Sequence, residues 1–80
     1  MYVIIVGGGR TGLQLAEKLL EGEHEVRLID HRPHVLERLK RELPPEVIVS
    51  GDGSSPTILE KAGIEKAQVL AAVTEEDEAN

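Results

Sequence analysis

Two hydrophobic periods alternate along the chain. Tyr2-Val3-Ile4-Ile5-Val6 is a continuous apolar run of strand length, and beyond it Leu13, Ala16, Leu19 and Leu20 recur at helical spacing, with Glu17, Lys18 and Glu21 on other faces. The pattern predicts a strand, then a helix over Arg10–Glu21 stopped by Gly22. Alternation in Glu25-Val26-Arg27-Leu28-Ile29-Asp30 predicts a second strand. Pro33 suits the first turn of a second helix, in which Val35, Leu36, Leu39 and Leu43 form one apolar stripe before Pro44-Pro45 ends it. Val47-Ile48-Val49 reads as a short strand covered on both faces, broken by Gly51-Asp52-Gly53. Ser55 as N-cap and Pro56 at the first helical position open a third helix that turns Ile58, Leu59 and Ala62 inward and stops at Gly63. Gln68–Thr74 supplies a fourth strand, and Glu75-Glu76-Asp77-Glu78 reads as the opening of a further helix.

Strict alternation of strands and helices across short loops predicts a parallel sheet, because right-handed crossovers lay each helix over the sheet. The expected architecture is α/β and Rossmann-like, with strand order 3-2-1-4, and corresponds to half of a doubly wound domain. All 80 residues form one Rossmann-like domain in this reading, incomplete at its C-terminus. The fourth strand then carries an unpaired apolar edge. Such an edge invites pairing, so the expectation is a homo-oligomer, a companion chain or a longer protein.

Composition narrows the partners. Nine Lys and Arg against fifteen Asp and Glu give a net charge of −6, which argues against nucleic acid and anionic membranes. The absence of cysteine removes disulfide and thiol chemistry. No segment approaches the roughly 18 consecutive apolar residues that span a bilayer, and the N-terminus lacks the features of a signal peptide, so a cytoplasmic location is expected. His24, His31 and His34 lack metal-ligand spacing, and no metal is expected.

Candidate chemistry concentrates where the first strand meets Gly7-Gly8-Gly9-Arg10-Thr11-Gly12. Gly7 would allow the tight turn out of the strand, Gly9 would let the backbone approach a pyrophosphate, and Gly12 would let helix and strand pack closely. A phosphate there meets backbone N–H groups and the positive end of a helix dipole. Asp30 closes the second strand eighteen residues beyond Gly12, where a carboxylate accepts hydrogen bonds from a ribose diol. The motif follows a strand, opens a helix and precedes an acid at the right distance, which together are far more specific than glycines alone. The competing reading keeps the fold without a ligand. His31 and Arg32 could stack on adenine or meet a 2′-phosphate, yet Asp30 would repel that phosphate, so NAD is preferred to NADP.

The runs Ile5-Val6-Gly7-Gly8-Gly9-Arg10-Thr11-Gly12, Leu28-Ile29-Asp30, Gly51-Asp52-Gly53, Leu59-Glu60-Lys61-Ala62-Gly63-Ile64 and Ala71-Ala72-Val73-Thr74, in this order, resemble the N-terminal nucleotide-binding domain of Trk-type potassium-uptake regulators, also called RCK or KTN domains. The resemblance covers essentially the whole chain. It implies a regulatory subunit or domain, not an enzyme, that binds NAD or NADH, or alternatively ATP or ADP, and controls a membrane potassium channel or transporter from the inner face of the cell membrane. It further implies that Gly7, Gly9, Arg10, Thr11 and Gly12 cradle phosphates, that Asp30 holds the adenosine ribose, that Asp52 with Gly53 beside it reaches the adenine amino group, and that Thr74 faces the ligand's second half. Turn chemistry competes for Asp52, and a helix cap competes for Thr74. Two other functions stay open. One is a dinucleotide-binding fragment of an NAD-dependent oxidoreductase, for which the chain shows no substrate domain or general acid. The other is a structural assembly subunit without ligand.

Overall fold

In the computed structural model, which describes residues 1–73, the apolar runs and helical stripes become a four-stranded parallel sheet with helices on both faces. The elements are β1 (Tyr2–Val6), α1 (Arg10–Glu21), β2 (Glu25–Asp30), α2 (Pro33–Glu42), a 3₁₀ turn (Pro45–Val47), β3 (Ile48–Ser50), α3 (Pro56–Ala62) and β4 (Val69–Ala72). Their order across the sheet is β3-β2-β1-β4, the order that the strand–helix alternation predicts. The expected helix at Glu75–Glu78 lies outside the described residues.

Side-chain alternation on the central strand explains the two layers. Val3 and Ile5 of β1 point to one face, where Val26 and Leu28 of β2, Ala16 of α1 and Val35 and Leu39 of α2 complete the larger core. Ile4 points to the other, joining Ile29 and Ala62, with Ile58 and Leu59 of α3 packed against them. This second face is thinner because a single helix of seven residues covers it. Tyr2 spans its edge, donating its hydroxyl to the Ala62 carbonyl at 2.5 Å while the Arg27 guanidinium lies 5.4 Å from its ring centre.

Three details depart from expectation. Val47, expected to begin the third strand, is buried in the 3₁₀ turn set up by Pro44 and Pro45, and β3 starts one residue later. β3 is an edge strand and its cover is partial, with half-buried Ile48 packed against the larger core, half-buried Val49 against the smaller one on the other face, and Ser50 exposed. Ser55 stands at the N-cap of α3 without a side-chain capping bond, so Pro56, with its preset φ, marks the start.

Helix α1 ends as expected, but the left-handed residue is not the glycine. Gly22 is the C-cap with φ −84°, while Glu23 takes φ +65°. The Glu23 amide donates to the Leu20 carbonyl and the His24 amide to the Leu19 carbonyl, the two bonds of a Schellman turn. Helix α3 uses the commoner solution, with Gly63 at φ +90°.

Pairing between strands continues past their carboxyl ends, and this builds the site. The Gly7 amide donates to the Ile29 carbonyl, the Gly51 amide to Asp30, and the Val73 amide to Val6. Four chain segments therefore leave the sheet at one level. The outer edge of β4 has no partner strand among the described residues, and Val69 and Leu70 on it are exposed, Leu70 to 51%.

Candidate functional site

A cleft of about 500 Å³ opens at the carboxyl ends of the strands, where parallel sheets of this order bind ligands. Its walls come from all four exits: Val6 and Gly7, then Ile29 to Arg32, then Asp52 to Ser54, then Ala72 and Val73. It straddles the boundary between β1 and β4. There the connections diverge to opposite faces of the sheet and leave a crevice.

The glycines shape its floor. Gly7 turns out of β1 at φ +115°, and a Cβ there would stand 2.5 Å from the Val73 carbonyl oxygen. At Gly12 a Cβ would fall 2.0 Å from the Gly7 carbonyl oxygen, so α1 sits on the loop at a distance that only glycine permits. Gly9, buried, is the N-cap of α1; it has no side chain to offer the first turn, and its carbonyl accepts from the Leu13 amide.

Asp30 is the one buried charged residue among those described, 5% exposed. Its carboxylate takes four hydrogen bonds. Oδ2 accepts from the Gly8 amide at 2.7 Å and from a terminal guanidinium nitrogen of Arg32 at 2.9 Å; Oδ1 accepts from the Arg32 amide at 2.9 Å and from Arg32 Nε at 3.1 Å. Burial pushes this carboxyl up, but the Arg32 side chain, the two amides and the Arg32 charge outweigh it and hold the group well below the usual carboxylate range. At neutral pH Asp30 is thus an ionised acceptor facing a cleft, which is the chemistry needed to receive hydroxyl donors.

Asp52 occupies the opposite wall and is exposed. Its Oδ1 accepts from the Ser54 amide at 2.9 Å and the Ser54 hydroxyl at 2.8 Å, within a turn closed by the Ser55 amide on the Asp52 carbonyl. These bonds lower its carboxyl pKa, burial slightly opposes them, and the charge of His31 adds to the lowering. The turn role weighed for Asp52 from the sequence is therefore present. Oδ2 makes no hydrogen bond among the described residues and faces no such restriction. Gly53 must be small here, since a Cβ would meet the Val6 Cγ1 at 2.4 Å.

Of the residues singled out from the sequence, the cleft brings together Gly7, Asp30, His31, Arg32, Asp52 and Gly53. Gly9 and Gly12 are buried and do not line it. Arg10 and Thr11 are exposed on the first turn of α1, and Arg10 borders a separate charged groove between α1 and α2, with Glu17, Arg38 and Glu42. Thr74 lies outside the described residues. Two participants escaped the sequence reading. Gly8 positions Asp30 through its amide, and a Cβ on it would stand 2.8 Å from Leu39 Cδ1; its signal was a glycine at a position the fingerprint leaves unspecified. Ser54 anchors Asp52, and the signal was an Asp followed two residues later by Ser, the spacing of an Asx turn.

Among the described residues no group of His, Cys, Asp and Glu side chains is arranged to hold a metal ion, and no helix is long and apolar enough to cross a membrane.

Comparison with known proteins places this geometry in a family context. The TrkA-N domain model matches residues 3–80. The chain is 41% identical over its 80 residues to the Trk system potassium uptake protein TrkA homolog of Methanothermobacter thermautotrophicus, covering all of this chain and 37% of that protein. It is 39% identical, again over its whole length, to the Trk system potassium uptake protein TrkA of Azorhizobium caulinodans, of which it covers 17%. The TrkA homolog of Pyrococcus abyssi is 34% identical over the same span, 35% of its length. The chain thus spans well under half the length of these relatives.

Proposed function

The chain belongs to the TrkA-N domain family, and from that premise we propose that it is the nucleotide-sensing unit of a potassium-uptake regulator, binding NAD or NADH in the cleft at the strand ends. The observation that carries this reading is the ionised, buried Asp30 carboxylate beside a glycine-lined helix start in a cleft of ligand size. The fit is chemical. Gly7 and Gly12 keep the loop close to the sheet, Gly9 opens the first turn of α1 without a capping side chain, and a pyrophosphate is the kind of anion such a turn holds. Arg10 and Thr11 on that turn would add side-chain contacts to the phosphates.

Asp30 would accept the adenosine ribose hydroxyls, Asp52 through its outward oxygen would take the adenine amino group, and His31 would border the base. Thr74 belongs to the same proposal on the family resemblance alone. The nucleotide supplies no chemistry to be catalysed in this reading. Binding changes the shape or assembly of the domain, and that change controls a membrane potassium channel or transporter, with the chain acting at the cytoplasmic face. The edge of β4, which has no partner strand among the described residues, suits assembly with a further strand, of the same protein or of a second copy.

Titration calorimetry of the chain with NAD, NADH, ATP, ADP and NADPH tests this. NAD or NADH is expected to bind at micromolar concentration and NADPH at least about tenfold more weakly, since a 2′-phosphate would face the Asp30 charge. Asp30→Ala is expected to remove the binding, because charge-assisted hydrogen bonds of this kind are worth about 1.5–3 kcal/mol each. Binding that survives Asp30→Ala would refute the assignment of the ribose to Asp30. Preference for ATP or ADP would keep the site and change its ligand.

A further inference from the structure

Asp30 is already saturated. A carboxylate offers about four lone-pair positions, and the four bonds from Gly8 and Arg32 use them. Two of the donors are backbone amides, fixed by the end of β1 and the start of α2. The other two belong to one guanidinium, held in a fork across both carboxylate oxygens. A ribose diol needs the same oxygens. Only the guanidinium can make way, because the amides cannot leave without unwinding the elements that carry them.

Resting on the nucleotide reading above, we propose that Arg32 is a displaceable latch on the ribose position, a side chain that sets the affinity and selectivity of the site by competing with the ligand for Asp30. The geometry favours displacement over permanence. Asp30 is 3% exposed at its side chain whereas that of Arg32 is 31% exposed at the rim of the cleft, so of the two partners the base is the one that can shift. The main chain of Arg32 is held as the N-cap of α2, its carbonyl accepting from the Leu36 amide, which confines the movement to the side chain.

The latch also has a chemical consequence. Without Arg32 or a ligand, a buried carboxylate would face the cleft with only two donors, a costly arrangement. With it, the site stays neutral and ordered until a ligand supplies two hydroxyl donors in place of the fork. A ligand with one ribose hydroxyl can replace only one of the two bonds, so the latch discriminates against 2′-deoxynucleotides more sharply than Asp30 alone would.

The test is calorimetric titration of NADH into the wild-type chain, Arg32→Gln, Arg32→Lys and Asp30→Ala, with melting followed by circular dichroism. Arg32→Gln is expected to bind NADH about three- to tenfold more tightly than wild type, although it melts at lower temperature, because the competing charge-assisted bonds are gone. Lost structural support alone cannot tighten binding. Arg32→Lys, which keeps the charge without the fork, should fall between the two and serves as the probe if Arg32→Gln does not fold. Equal or weaker binding in both Arg32 variants, with wild-type binding still abolished by Asp30→Ala, would overturn the latch and leave the nucleotide site standing. Failure of NADH to bind any of the four proteins would overturn the site and the latch together.

Discussion

Asp30 ties stability and ligand chemistry to one side chain. Its carboxyl is depressed in the folded protein, so on acidification the unfolded chain takes the proton first and folding is weakened. The contribution of Asp30 is therefore present above the ordinary aspartate pKa of about 3.9 and is lost as pH falls through that value toward strong acid. Urea denaturation between pH 7 and pH 3 should show Asp30→Asn less stable than wild type by about 1–3 kcal/mol at neutral pH, the partial exposure of Arg32 keeping the figure below that of a fully buried pair. The gap should narrow at the acid end. A constant gap across the series would mean that Asp30 supports the fold by shape alone. Gly12 makes a second prediction at this scale. The Cβ of Gly12→Ala would drive α1 off the Gly7 carbonyl, a loss of about 2–3 kcal/mol, and lower the melting temperature by on the order of 10 °C. A melting temperature within a degree or two of wild type would show that the loop yields freely.

Elements were legible to the extent that their signals were local. Helix α1 and strand β2 have the boundaries read from the sequence, because an apolar stripe, a strong alternation and a glycine stop all agree there. β3 was harder. Its three apolar residues follow two prolines, and the 3₁₀ turn that Pro45 initiates absorbs Val47, a choice made by the larger core rather than by strand propensity. The left-handed position after α1 also escaped, since a glycine stood next door and the turn placed Glu23 there instead. That misplacement is testable. Glu23→Gly removes the Cβ penalty at φ +65° and should stabilise the chain by about 0.5–1 kcal/mol in urea denaturation, the relief exceeding the added freedom of the unfolded chain. A destabilised variant would mean that the Glu23 side chain contributes more than its backbone costs.

For the whole molecule, alternation of strands and helices was enough to derive the order β3-β2-β1-β4, and with it the convergence of Gly7, Asp30, Asp52 and Gly53 on one cleft. What sequence could not supply was occupancy. That Asp30 is engaged by the Gly8 amide and the Arg32 fork, and Asp52 by Ser54, depends on rotamers and loop paths that no spacing rule encodes. The proposed function depends on this cleft holding an adenine nucleotide through Asp30. Calorimetric titration of NADH into wild type and into Asp30→Ala, each shown to be folded by circular dichroism, tests it most directly. Saturable micromolar binding to wild type and at least a tenfold loss in Asp30→Ala are expected. Equal affinity in the two folded proteins, or no heat from either, would contradict it.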